Sequence, residues 1–143
     1  MSTITAINIA PGRRLPMKSV DRVLAEAGKG LVGDRYHGAK HRHVTLQSAE
    51  QLALAAADLG REITPAGTRR NITVDLGVVP TAPGTLIRIG EALVEVVRVA
   101  APCRLLDDDL GPGAATALRR RAGTCCRVLE SGTVAVGDQV VTL

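Results

Sequence analysis

The apolar residues of this chain come in short runs, each closed by glycine or proline, and that punctuation limits the fold more than any other feature. TITAINI (3–9), TLIRI (85–89) and ALVEVVRV (92–99) are rich in β-branched residues, and Pro11-Gly12, Gly90-Glu91 and Pro102 bound them. Runs of this length between turn formers read as strands. NITVDL at 71–76 and VTL at 44–46 read the same way, as do three segments near the end, separated by Ser131-Gly132 and Gly137-Asp138. The runs at 85–89 and 92–99 form a hairpin across Gly90-Glu91. One stretch follows a helical period instead. Ser48 suits an N-cap with Gln51 three residues on. Ala49, Leu52, Ala53, Ala56 and Leu59 then fall on one face, and Gly60 stops the helix. A shorter helix is expected after Gly113, while residues 17–28 fit a helix and a strand equally well. The whole reads as a mainly β chain, a mixed-topology distorted β-barrel with one or two small helices, in one domain over 1–143. A doubly wound α/β sheet needs more helices between its strands than this sequence offers.

Composition narrows the function classes. The chain has 143 residues, one tyrosine (Tyr36), and no phenylalanine or tryptophan, so its core rests on Val, Leu, Ile and Ala. Single-stranded nucleic acid is usually gripped by several stacking rings, so no nucleic-acid partner is expected. Net charge is +4 and uneven: residues 1–72 hold 11 Lys or Arg against 6 Asp or Glu, and the rest hold 7 against 8. An anion-binding surface in the first half fits that asymmetry. No signal peptide and no membrane-spanning run is visible. The three cysteines show no C-x-x-C pattern, which fits free thiols in a cytoplasmic protein.

Cys103 follows a long apolar strand and Pro102, with Arg104 beside it. A nearby cation favours the thiolate, which can attack sulfur, carry a persulfide or ligate a soft metal; a buried cysteine serving as a small apolar residue is equally consistent. The other two cysteines, 125 and 126, are adjacent at the start of a strand, so one should be buried while the other faces outward or lines a cavity. In GLVGDRYHG (30–38), Gly33 frees the backbone, Asp34 can fix neighbouring amides, and Arg35 offers a fork to phosphate or carboxylate. No GK[ST] follows, so this is not a P-loop. His37 and His41 suit hydrogen bonding or anion contact better than zinc. Arg69, Arg70 and Asn71 stand at a strand entrance, where they suit a charged rim or recognition of a phosphate- or pterin-like ligand.

Taken in order, GLVGDRYHG, RHVTLQSAEQL (42–52), GTRRNITV (67–74), PGTLIRIG (83–90), EVVRVAAPCRLL (95–106) and RVLESGTVAVGDQ (127–139) resemble the MOSC family, named for the C-terminal domain of molybdenum-cofactor sulfurases. The resemblance implies a distorted β-barrel related to the pyruvate kinase-type barrel. It also implies a molybdenum cofactor (molybdopterin), with Cys103 as the thiol that carries sulfur or ligates molybdenum. Gly33, Asp34, Arg35, His37, His41, Arg69, Arg70, Asn71 and Arg104 would then contact the cofactor. Relatives often place an aromatic residue near the first cysteine of GTCCRVLESG, and this chain does not. Pyridoxal phosphate is not expected, since no aminotransferase-like segment is present.

Three functions follow as expectations. One is a cofactor-binding or sulfur-carrying domain, with a cysteine-desulfurase-like donor or a molybdoenzyme acceptor as partner. Another is a small molybdenum-dependent oxidoreductase acting on N-hydroxylated compounds with an electron donor. The third is a non-catalytic anion- or protein-binding module. A monomer and a homodimer paired through an edge strand are both compatible with the sequence.

Overall fold

The computed structural model describes residues 2–102 and 105–143. The strands are β1 (Ser2–Ile9), β2 (Lys18–Val20), β3 (Arg22–Glu26), β4 (Gly30–Leu31), β5 (Val44–Ser48), β6 (Ile72–Val74), β7 (Leu86–Ile89), β8 (Ala92–Val99), β9 (Thr124–Glu130), β10 (Gly132–Ala135) and β11 (Gln139–Thr142). The helices are α1 (Ala49–Leu59), α2 (Leu105–Leu110) and α3 (Ala114–Ala117), with a 3-10 turn at Ala66–Thr68.

The large sheet runs in the order β11-β7-β8-β9-β5-β6-β1-β2, and a further β11–β1 pairing closes seven of these strands into a barrel. Its pairs are antiparallel except β5–β6, where Leu46, Gln47 and Ser48 run parallel to Ile72, Thr73 and Val74. α1 makes that parallel pair possible: it leaves the end of β5 and carries the chain back toward the start of β6, the crossover that parallel neighbours require. A second sheet, β10-β3-β4, packs beside the barrel.

Residues 17–28, which fit both periods, form β2 and β3. Val23 and Ala25 are buried, whereas Arg22 and Leu24 are exposed. Pairing of Val23 with Val134 and Ala25 with Gly132 decides the matter in favour of period two.

Aliphatic side chains fill the barrel. Ile4, Ile7, Leu46, Ile72, Ile87 and Val94 are each at most 1% exposed. Burying such a side chain is worth roughly 1.5–3 kcal/mol, so the barrel needs no aromatic ring to hold together. A smaller cluster, Leu52, Ala55, Ile63, Leu106 and Leu118, joins the helices.

Ser48 caps α1, its Oγ accepting from the Gln51 N–H at 3.2 Å. Only half of a capping box forms, because the Gln51 amide donates to the Gly77 carbonyl at 3.2 Å rather than back to the cap. Gly60, at φ 74°, ends the helix with its N–H on the Ala56 carbonyl. No helix among the described residues is long and apolar enough to cross a membrane.

Candidate functional site

The GDR and RRN segments meet in the fold. Gly33 turns the chain at φ 90°, a conformation open to glycine. Asp34, 5% exposed, then folds its carboxylate inward to accept from the N–H groups of Ala10 at 2.7 Å and Tyr36 at 3.1 Å. The Asn71 amide completes the knot. Its nitrogen donates to Asp34 Oδ1 at 3.2 Å and to the Asn8 carbonyl at 3.0 Å. Its oxygen accepts from the Thr45 N–H at 3.0 Å and from the Thr45 hydroxyl at 3.2 Å. One buried amide therefore ties β1, β5 and the turn after Gly33 together. Asp34 and Asn71 spend their polar atoms on one another, on Thr45 and on the backbone, so they brace the residues beside them.

Those neighbours are cations. Arg70, directly before Asn71, is 6% exposed and donates through Nε to the Ala122 carbonyl at 3.0 Å and through a terminal nitrogen to the Ala101 carbonyl at 2.9 Å. It thereby spans the segments that leave β8 and enter β9. A cavity of about 150 Å³ opens here, lined by Arg42, Arg70, Arg98, Val99, Ala100, Ala101 and Cys125. A water molecule's share of liquid volume is about 30 Å³, so the space suits a group of phosphate size. Among the described residues that line it there is no carboxylate, and its three guanidiniums offer planar N–H forks of the kind that pair with oxyanions.

A β-bulge places Arg98 in this wall. Val96 pairs with Cys126 and Arg98 with Cys125, leaving Val97 without a partner. Strict alternation would have put Arg98 on the core face of Val94 and Val96; the extra residue re-aims it. Across the pair, the two adjacent cysteines part company. Cys126 joins the barrel core, and burial, with the neighbouring Cys125 adding to it, pushes its thiol up to about 12. Cys125 is 2% exposed and lines the arginine cavity.

The other candidates are dispersed. Arg35 is exposed and lies over the Tyr36 ring, 4.5 Å from its centroid. His37 is 3.2 Å from Glu26 Oε1. His41 lines a separate groove of about 490 Å³ with Lys40, His43 and Arg127. Arg69, in the left-handed region at φ 60°, donates to the Leu15 carbonyl at 2.9 Å and faces a cavity of about 220 Å³ with Arg14, Asp108 and Asp109. Cys103 and Arg104 lie outside the described residues; they follow Ala101-Pro102, the first of which lines the arginine cavity. Among the described residues no cluster of His, Cys, Asp and Glu could hold a metal ion.

Sequence reasoning missed Arg42 and Arg98, and left the cavity-facing thiol between Cys125 and Cys126. Adjacent cysteines on a strand signalled that one would face a cavity. The bulge that selects Arg98 left no mark in the alternation.

Compared with known families, the chain matches the MOSC domain over residues 33–141. No curated protein matches it. Among solved structures, the YuaD protein of Bacillus subtilis superposes with a TM-score of 0.87 at 20% identity, covering 98% of this chain and 94% of that one. YiiM from Geobacillus stearothermophilus gives 0.80 at 20% identity, over 100% of this chain and 75% of its own. YiiM from Escherichia coli gives 0.74 at 19% identity, over 99% and 69%. At such identities the likeness is one of fold.

Proposed function

We propose that this chain, which belongs to the MOSC domain family, holds the molybdenum cofactor by seating an anionic group of it among Arg42, Arg70 and Arg98, with Cys103 supplying the thiolate that ligates molybdenum or carries sulfur. The observation that carries this reading is the cavity: three guanidiniums and no carboxylate among its described lining residues, at the end of the strand that runs into Pro102. Its donor set fits a phosphate, for which planar N–H forks are well matched. When bound, the cofactor supplies a redox-active metal.

The chain's own residues do the rest. Arg70 is held by two backbone carbonyls, so its charge is in place before an anion arrives, which lowers the cost of binding. Asp34 and Asn71 act through Arg70 and the turn that carries Arg35, as positioning residues. Arg35 shares the Tyr36 ring with Arg42 and adds positive charge beside it, Arg104 is a further candidate cofactor contact, and Arg69, His37 and His41 face surroundings of their own. As a holding or receiving domain, the protein would work with a cysteine-desulfurase-like sulfur donor or a molybdoenzyme acceptor.

The test is pterin, phosphate and molybdenum analysis of gently purified protein. Wild type should retain or take up cofactor from a donor. Arg98→Gln should weaken retention about tenfold or more, the scale of one lost charge-assisted hydrogen bond. Cys103→Ser should lose molybdenum or loaded sulfur while keeping affinity for inorganic phosphate. Equal loading of all three proteins would overturn the reading.

A further inference from the structure

The chain has one tyrosine and no phenylalanine or tryptophan, and two guanidiniums lie over that one phenol ring. Tyr36 is half-buried. The guanidinium carbon of Arg42 lies over its ring at 4.2 Å from the centroid and that of Arg35 at 4.5 Å. Arg42 also lines the arginine cavity, and its buried Nε has no hydrogen-bond partner among the described residues. Arg70, on the same cavity, is fixed by two carbonyls. Arg42 differs from it: the contact that defines where its guanidinium lies is the ring face.

We infer that Tyr36 is the positioning residue for Arg42, holding its guanidinium at the cavity by a cation–π contact so that it meets an oxyanion without first being ordered. The inference rests on the cavity being an oxyanion site. Two cations sharing one ring repel each other, and the ring's negative face offsets part of that repulsion in the empty protein. An anion in the cavity offsets more of it, so the stack favours the occupied state. The backbone supports the arrangement. The Tyr36 N–H is held by Asp34, and the Arg35 N–H donates to the Ala10 carbonyl at 2.7 Å, so the ring springs from an anchored turn. The ring's contribution is its face, and the hydroxyl is dispensable.

Two measurements on the full chain test this, with inorganic phosphate as the probe. The first is NMR of the arginine Nε–H groups in phosphate-free protein. The Arg42 resonance should be displaced by the ring current in wild type and Tyr36→Phe, and should return toward the free-arginine position in Tyr36→Leu. The second is calorimetric titration with phosphate. Tyr36→Phe should bind like wild type, and Tyr36→Leu about three- to thirty-fold more weakly, the range a cation–π contact spans. Matching thermal unfolding of the Phe and Leu variants keeps a folding defect from imitating the effect. Wild-type protein that ignores phosphate would overturn the oxyanion site and this role with it. Phosphate binding that is the same in Tyr36→Leu, or an Arg42 resonance unshifted in wild type, would overturn the positioning role alone.

Discussion

Two adjacent cysteines show how far one residue's setting decides its chemistry. Cys126 faces the barrel core, where burial raises its pKa to about 12, so it carries almost no thiolate at neutral pH. Cys125, one residue earlier, faces the arginine cavity. Labelling Cys103→Ser protein with a small thiol reagent should therefore modify Cys125 first and leave Cys126 unmodified until the protein unfolds, as read by peptide mass spectrometry. Added phosphate should slow the reaction at Cys125. Equal labelling of the two in folded protein would contradict the opposite facing of their side chains.

At the scale of elements, the joint of β1, β5 and the turn after Gly33 depends on one amide. Asn71→Ala would leave the Asp34 carboxylate and the Thr45 donors short of partners, at a cost of about 2–4 kcal/mol in chemical denaturation. Asn71→Asp would be worse at neutral pH, because it sets a second carboxylate where Asn71 Nδ2 now lies 3.2 Å from Asp34 Oδ1. Two such carboxylates share a proton more readily when folded than when unfolded, so this variant should regain stability as pH falls below about 5. Stability of Asn71→Asp that does not rise on acidification would rule out the contact.

This joint also marks what the sequence makes legible. Helix α1 could be read from Ser48, its apolar spacing and Gly60, and the β7–β8 hairpin from Gly90-Glu91, because both rest on local rules. The GDR and RRN segments could be picked out as site segments. What each does could not be, since Asp34 meets Asn71 across 37 positions of chain. Residues 17–28 stayed open between helix and strand until pairing with β10 supplied partners. The bulge at Val97 depends on the partner strand, so Arg98 could not be assigned to the cavity from alternation alone.

For the molecule as a whole, acid stability should reflect His43. Its ring is 3% exposed in surface terms and fully engaged: Nδ1 accepts from the Val128 N–H at 3.0 Å, and Nε2 faces the Ala39 carbonyl at 2.7 Å, which makes it the protonated nitrogen. Burial, the largest influence, lowers its pKa from 6.5 despite the opposing Ala39 hydrogen bond, and the Arg127 charge lowers it further. The unfolded chain therefore takes up a proton on this residue before the folded one does. Its stabilising contribution is intact above the unfolded value near 6.5 and is lost as pH falls below it toward the lowered folded value. Asp75, held down chiefly by the Thr3 N–H, acts in a separate window below its ordinary 3.8. Thermal melts from pH 7.5 to 5, an interval chosen around the unfolded histidine value, should show the midpoint of wild type falling. His43→Gln, less stable at the upper end, should show a shallower slope. Parallel slopes would assign the effect to another group.

The ring of strands is fastened between its first and last members, with Ser2 opposite Val140 and Thr3 opposite Gln139. A chain emerging from the ribosome can form the β7–β8 hairpin early, but it cannot shut the ring until residues 139–142 have cleared the exit tunnel. The arginine cavity draws its walls from residue 42 through residue 125 and sits on that ring. On the proposed reading, the cavity would take a cofactor only after that closure, and a nascent chain stalled short of β11 would have no finished site to offer a cofactor donor.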